Sequence, residues 1–210
     1  MYNESGELMK IKQPILKNLE TKTMLEDFIS SEYISLTDSI ISEDIKMNEC
    51  IFKNCRFIHS QILLSDLMDI IFENCDLSNL DFSKSIFHRI IFKNCRMTGI
   101  DFTDCTLIDC QFINSKINLS NFSGANLKNC IFKECDCSSS RFVSTKFKDI
   151  QMNHINFNES EFFHTPLNKI DFSDSEIYGI SVTPDSLKGI IVNQYQALSL
   201  SKLLGIIIKE

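Results

Sequence analysis

No stretch of 18 apolar residues occurs in this chain, which removes a membrane-spanning helix from consideration. The glycine-rich P-loop, the GxSxG of serine hydrolases and the HExxH of zinc hydrolases are absent as well, so no catalytic signature points to an enzyme. Basic charge is in deficit, with 21 Lys and Arg against 28 Asp and Glu, and the net charge of −7 disfavours direct nucleic-acid binding. Met1-Tyr2-Asn3-Glu4-Ser5 has neither the basic start nor the apolar segment of a secretion signal. The expectation is a non-enzymatic cytoplasmic protein with no membrane association.

What is present in abundance is a period of five. From Phe52, every fifth residue to Val182 is apolar: 15 Phe, 5 Leu, 3 Ile, 2 Met, 1 Cys and 1 Val in 27 positions. The positions two residues earlier, Cys50 through Ile180, hold 8 Cys, 8 Ser, 7 Ile, 2 Thr, 1 Leu and 1 Ala, and no charge. This is neither the helical 3.6 nor a simple strand alternation; it is an internal repeat. Two of every five residues point inward, one large and one small, with one outward residue between them as on a strand. The other two must turn the chain. Asn54, Asn74, Asn79, Asn94, Gly99, Asn114, Gly124, Asn129 and Gly179, residue types that tolerate positive φ, recur at the second of these. Eight of the nine cysteines fall on the small inward position and Cys137 on a central one. That register makes them reduced core thiols, which agrees with a cytoplasmic location.

Units such as Cys75-Asp76-Leu77-Ser78-Asn79 and Ala125-Asn126-Leu127-Lys128-Asn129 resemble the pentapeptide-repeat family, with its A(D/N)LXX consensus. The resemblance implies an all-β fold: a right-handed, quadrilateral β-helix with four pentapeptides per coil. Nearly seven coils at strand spacing would give a rod roughly 30 Å long. On four sides, His59, His88, His154 and His164 separate, so no metal or catalytic cluster and no cofactor is expected. Asn54, Asn74, Asn94 and Asn114 should stack at one corner, and Ile51, Ile71, Ile91 and Ile131 on one side. The Ile stack is either ladder packing or a protein-binding stripe. Adjacent carboxylates such as Asp66 and Asp69 read as a solvated face.

Three segments are expected: 1–32, an N-terminal extended segment; 33–182, the β-helix; and 183–210, a C-terminal helical cap and dimerisation module. In the first, Pro14 favours an extended path, and Ile11, Ile15 and Leu19 are expected to cover apolar residues of the early coils, Ile58, Leu63, Leu64 and Met68. Leu36 and Ile41 fit the central position of an irregular first coil if one residue is inserted before Met47. In the last segment, Pro184 after Thr183 opens a short turn that Gly189 stops, and Asn193 with Gln196 forms a capping box for a helix ending at Gly205. Ala197, Leu200, Leu203 and Leu204 share a face of that helix, which either closes its own coil or joins two chains.

Charge is uneven along the chain. Residues 45–148 carry eleven acids and thirteen bases, whereas 149–182 carry six acids, Asp149, Glu159, Glu161, Asp171, Asp174 and Glu176, against Lys169 alone. The tail from Asn193 through Ile206 resembles that of the Qnr and MfpA-like branch, which implies a homodimer through Tyr195, Ala197, Leu198, Leu200, Leu203 and Leu204. It further implies a DNA-mimicking partner of type II topoisomerases (DNA gyrase or topoisomerase IV) that protects them from fluoroquinolones, with the six acids as the contact surface. Head-to-head dimerisation would merge two such zones of net −5 into one of about −10. The alternative is a structural or interaction solenoid with an unrelated partner.

Overall fold

A five-residue period needs a corner every fifth residue, and the backbone supplies one. The computed structural model describes residues 11–17, 19–22 and 28–209. From Asp44 to Lys169, every fifth residue lies in the left-handed region, with φ between 47° and 72°. The expected Asn and Gly corners are among them. So are Leu64, Leu119, His59, His154 and Arg89, residue types that carry no turn signal. At many corners the turn closes by a hydrogen bond over three residues, as from Leu80 N–H to the Leu77 carbonyl (3.2 Å) and from Ser85 N–H to the Phe82 carbonyl (3.1 Å). Positive φ at the third of four residues is the type II pattern. The Asp or Asn of the repeat folds onto the same turn: Asp76 Oδ1 accepts from the Ser78 N–H (3.1 Å) and from its hydroxyl (2.6 Å).

Repetition of this unit winds a β-solenoid of about eight turns with one short helix near its C-terminal end. Successive coils pair in parallel at twenty-residue register, as in Phe52↔Phe72 and Phe72↔Phe92. The first side is centred on Phe52, Phe72, Phe92 and Phe112, the second on Phe57 and Leu77, the third on Ile62 and Phe82, and the fourth on Met47, Leu67 and Phe87. Fourth and first sides run together as eight-residue strands, among them Lys46–Lys53, Asp66–Glu73, Ile86–Lys93, Asn126–Lys133 and Lys146–Asn153. The second and third sides are mostly held by single bridges such as Asp76↔Arg96 and Asp101↔Asn121.

Two aromatic stacks fill the interior. Tyr33, Phe52, Phe72, Phe92, Phe112 and Phe132 stack with centroids 4.5–5.2 Å apart and planes within 10°. Phe102, Phe122, Phe142 and Phe162 stack on the opposite side, and the two columns meet edge to face, as in Phe102 with Phe112 at 6.1 Å and 82°. Both arrangements are the favoured ones for aromatic quadrupoles. The small inward residues satisfy the backbone between coils. Ser140 Oγ accepts from the Ser120 N–H (3.1 Å) and donates to the Ile117 carbonyl (3.0 Å), and Ser85 does the same for Ser65 and Ile62. All nine cysteines are buried and free. Burial pushes the Cys105 thiol up to about 12 and the Cys135 thiol up to about 11, so both stay protonated and unreactive at neutral pH.

The first coil departs from the expected phase. Tyr33 pairs with Phe52 and Asp38 with Phe57, nineteen residues apart, whereas Ser42 pairs with Ile62, twenty apart. One residue is therefore missing between Asp38 and Ile41, instead of one being inserted before Met47, and no left-handed corner occurs between Ser35 and Asp44. A one-residue shift turns side chains to the other face. Ile40 is thus buried while Ile41 is 74% exposed, and Leu36 packs inward from the small position, not the central one. At the other end, a 3₁₀ turn, Pro184–Leu187, leads to helix α1, Gln194–Leu203. Its capping box is complete: Asn193 Oδ1 accepts from the Tyr195 and Gln196 N–H groups, and Gln196 Oε1 accepts from the Asn193 N–H (2.9 Å). Gln196 Nε2 also donates to the carbonyls of Phe172 (2.8 Å) and Ser175 (2.6 Å), closing the last coil.

Corner strain can be relieved where the side chain does nothing else. Leu119 is 60% exposed at φ 59°. Leu119→Asn should raise stability by about 0.5–1 kcal/mol, because Asn tolerates the left-handed region that penalises Leu. Gly124→Ala should lower it by about 1–2 kcal/mol, since its Cβ would run into the Asp104 carboxylate. Denaturant midpoints of the two variants, moving in opposite directions, check this.

Candidate functional site

Because coils repeat every twenty residues, each corner and side carries a column of side chains, and the columns decide which charges meet. Asp174 ends the column Asn54, Asn74, Asn94, Asn114, Glu134, His154 at the corner between first and second sides. Its lower part is the expected amide ladder, with Asn94 Nδ2 donating to Asn74 Oδ1 (3.2 Å) and Asn114 Nδ2 to Asn94 Oδ1 (2.8 Å). Its upper part is acidic: Glu134, Asp174 and, on the adjoining second side, Glu176 line one depression with His154, whose Nδ1 lies 3.6 Å from Asp174 Oδ2. Glu134 was not among the sequence candidates. The twenty-residue column is the signal that finds it.

The other acids are spread around the prism. Asp171 lies on the first side, near Asp174 and Lys169. Glu159 occupies the corner between second and third sides. Glu161 lies on the third side, 3.2 Å from the Arg141 guanidinium. Asp149 stands apart, on the corner between fourth and first sides. The structure thus brings together Asp171, Asp174 and Glu176, with Glu159 and Glu161 continuing around the end coils, and leaves Asp149 outside the group.

That last corner holds the most buried charge. Asp69 is only 4% exposed, not on a solvated face, and Arg89 holds it through Nε and Nη2, both at 2.6 Å. The N-terminal arm, residues 11–17, is fastened here: the Ile15 N–H donates to Asp69 Oδ1 (2.9 Å), the Lys12 N–H to Asp109 Oδ1 (3.4 Å), and Gln111 Nε2 to Gln13 Oε1 (3.2 Å). The hydrogen bonds that fasten the arm run mainly from its backbone donors to buried carboxylates. Of the expected cover, Ile11 and Leu19 are half-buried but Ile15 faces solvent, and Ile58, Leu64 and Met68 remain exposed. Residues 1–10 lie outside the described residues.

Helix α1 distributes the six expected dimer residues over its circumference. Leu200 is buried against its own coil beside Gln196. Ala197, Leu198, Leu203 and Leu204 are exposed, as are Ile206, Ile207 and Ile208 beyond them. At 100° per residue, Tyr195 and Ser199 project to the opposite flank from Ala197 and Leu204, and they line a cleft against the last coil. Among the described residues, no group of three or more His, Cys, Asp or Glu could hold a metal, and no helix is long and apolar enough to cross a membrane.

The pentapeptide repeat region model matches residues 45–107, 65–142 and 105–182. No curated protein matches the chain. Among solved structures, a trypsin-treated form of QnrB1, a plasmid-mediated fluoroquinolone resistance protein, is 21% identical, with 91% of this chain and 96% of that one covered and a TM-score of 0.47. Full-length QnrB1 is 16% identical, with 81% and 100% covered and a TM-score of 0.42. HetL, a pentapeptide repeat protein involved in heterocyst differentiation regulation from the cyanobacterium Nostoc, is 10% identical, with 77% and 91% covered and a TM-score of 0.43. None of these likenesses assigns a partner to this chain.

Burial pushes the Asp69 carboxyl up, but the Arg89 hydrogen bonds, the Ile15 N–H and the Arg89 charge outweigh it and hold the group below its ordinary 3.8. A depressed folded pKa contributes stability that is complete above the unfolded value and is lost as pH falls through the folded one. Protection of the Ile15 amide, measured against its intrinsic exchange rate at each pH, should therefore be high at pH 7 and fall once the pH drops below the ordinary carboxylate range. Asp69→Ala should give fast exchange at pH 7 with the solenoid's circular dichroism unchanged; equal protection in that variant would rule out the anchor.

Proposed function

The chain belongs to the pentapeptide-repeat family, and on that premise we propose that it is a non-enzymatic, cytoplasmic, protein-binding solenoid whose acidic end imitates duplex DNA toward a type II topoisomerase. The observation that carries this reading is the charge of the final coils. Residues 149–182 hold six acids and one base within about 8 Å of rod, at roughly 4.8 Å per coil. That is about one net charge per 1.6 Å, against about one per 1.7 Å along B-DNA. The middle of the rod, with eleven acids and thirteen bases, has no such density. Mimicry is thus a property of the end, and it becomes extended only if two ends meet.

The exposed Ala197, Leu198, Leu203 and Leu204, with Ile206, Ile207 and Ile208, supply an apolar surface for that meeting. A head-to-head homodimer would place Asp171, Asp174, Glu176, Glu159 and Glu161 of both copies beside the joint, with Asp149 at its margin. The carboxylates would stand in for phosphates against Lys and Arg of gyrase or topoisomerase IV, and occupation of the DNA site would relieve fluoroquinolone action. The second reading, an interaction solenoid with an unrelated partner, is favoured by the exposed Ile41 and Leu64 of the early coils, which the topoisomerase reading does not use.

A gyrase supercoiling assay with ciprofloxacin separates the two. Added protein should restore supercoiling at low molar ratio, more weakly as salt rises, and reversal of Glu159, Glu161, Asp171 and Asp174 to Lys should abolish the effect. No protection by a folded, dimeric protein would transfer the function to the early coils. Independently, Leu198→Asp should convert a sedimenting dimer to monomer without loss of the solenoid's circular dichroism.

A further inference from the structure

Between α1 and the second side of the last coil lies a cleft of about 290 Å³, lined among others by Asn158, Glu176, Tyr178, Tyr195 and Ser199. It holds two of the chain's four tyrosines, and they are 77% and 74% exposed, while the large aromatic stacks inside the rod are sealed from water. In the outward column of the second side, Tyr178 follows Ile58, Ser78, Thr98, Asn118, Ser138 and Asn158; no other ring occurs there. The carboxylate of Glu176, which lines the same cleft, is positioned. Asn158 Nδ2 donates to Glu176 Oε2 (2.8 Å), while Asn158 Oδ1 accepts from the Tyr178 N–H (2.8 Å), so one amide fixes both the acid and the backbone that carries the ring. Two of the α1 amides that would otherwise attract an anion are consumed, since Asn193 Oδ1 takes the Tyr195 and Gln196 N–H groups. Glu134 and Asp174 in the adjoining depression add negative potential.

We propose that this cleft is a socket for one arginine side chain of a partner protein, its guanidinium stacked against Tyr178 and Tyr195 and hydrogen-bonded to Glu176. Arginine fits because its planar cation stacks on aromatic faces and offers a fork of donors to a carboxylate at the same time. The inference rests on the reading of the end coils as a surface for a basic protein, and it makes a narrower claim: one anchored contact inside a diffuse acidic field.

The test uses the full chain and N-acetyl-arginine methylamide as probe, with the neutral N-acetyl-citrulline methylamide as control, read from the tyrosine ring resonances. Tyr33, sealed in the first coil, is the internal reference. Saturable shifts of Tyr178 and Tyr195 are expected at millimolar arginine probe and none with citrulline. Tyr178→Leu and Glu176→Gln should each weaken binding at least tenfold, and Tyr178→Phe, which keeps the ring, should retain it. Asp136→Asn, an acid of the second side outside the cleft, should change affinity less than twofold. Loss of the same size in Asp136→Asn and Glu176→Gln would overturn the socket and leave only a charge field, with the topoisomerase reading untouched. Absence of ring shifts would overturn it outright. Intact arginine binding beside a supercoiling assay that shows no protection would instead remove the topoisomerase and keep the socket.

Discussion

Turning a strand through a corner every five residues forces the fifth residue into the left-handed region, where a side chain costs about 1–2 kcal/mol. The chain accepts that cost at Leu64, Leu119, Arg89 and His154 as readily as at Asn54 or Gly99. What holds these residues there is the other half of the unit. Each corner delivers one large residue to the interior, and full burial of a Phe or Leu contributes about 1.5–3 kcal/mol, enough to offset the strain it depends on. Parallel pairing at twenty-residue register then makes every coil the template for the next, and the Phe columns stack because the corners repeat, not because the rings seek each other. Where the period slips, between Asp38 and Ile41, the corner loses its left-handed residue, and the central positions pass to Asp38 and Ser42.

The solenoid is legible because its interior tolerates no charge: two closed positions in five, over 27 repeats, leave a trace that no surface function can blur. Asn and Gly corners, the core cysteines, the amide ladder and the Asn193–Gln196 box were legible for the same local reasons. The remainder was not, and the failures share a cause. A left-handed Leu or His has no composition signal, since the template imposes its φ from outside. Spacing alone misphases the first coil, because a missing residue and an inserted one leave similar apolar spacing until pairing partners are known. Asp69 resembled any outward acid, and only the Arg89 column and the arm make it buried. Apolar matching does not find the arm's anchors, because two of them are backbone N–H donors, which every sequence has.

Columns also govern what the surface can do. In a solenoid, residues twenty apart are neighbours about 4.8 Å away, so local sequence charge and local surface charge are different quantities. Glu134 lies forty residues before Asp174 yet lines the same depression. Asp149, near the end coils in sequence, points from another corner. Arg141 lies outside the acidic stretch in sequence and neutralises Glu161 within it. The acidic end is therefore best described as a band crossing the first and second sides, strongest around Asp174 and Glu176, rather than as a uniformly charged tip.

That band coincides with the place where the repeat gives way to a helix. A solenoid end leaves backbone carbonyls and a core cross-section open, and Gln196 and Leu200 of α1 are committed to closing them. A helix held to the rod along one line must leave its other flanks outward, and here each outward flank has a distinct chemistry: aliphatic on the side of Ala197 and Leu204, aromatic and amide-lined on the side of Tyr195 and Ser199. The aliphatic flank suits a second copy of the same surface, because like apolar groups are self-complementary under two-fold symmetry. The aromatic flank, facing Glu176, is not self-complementary, since two acidic clefts repel. Under the proposed reading it takes a cationic partner of another kind, and the sealing of the rod's end leaves outward flanks of unlike chemistry.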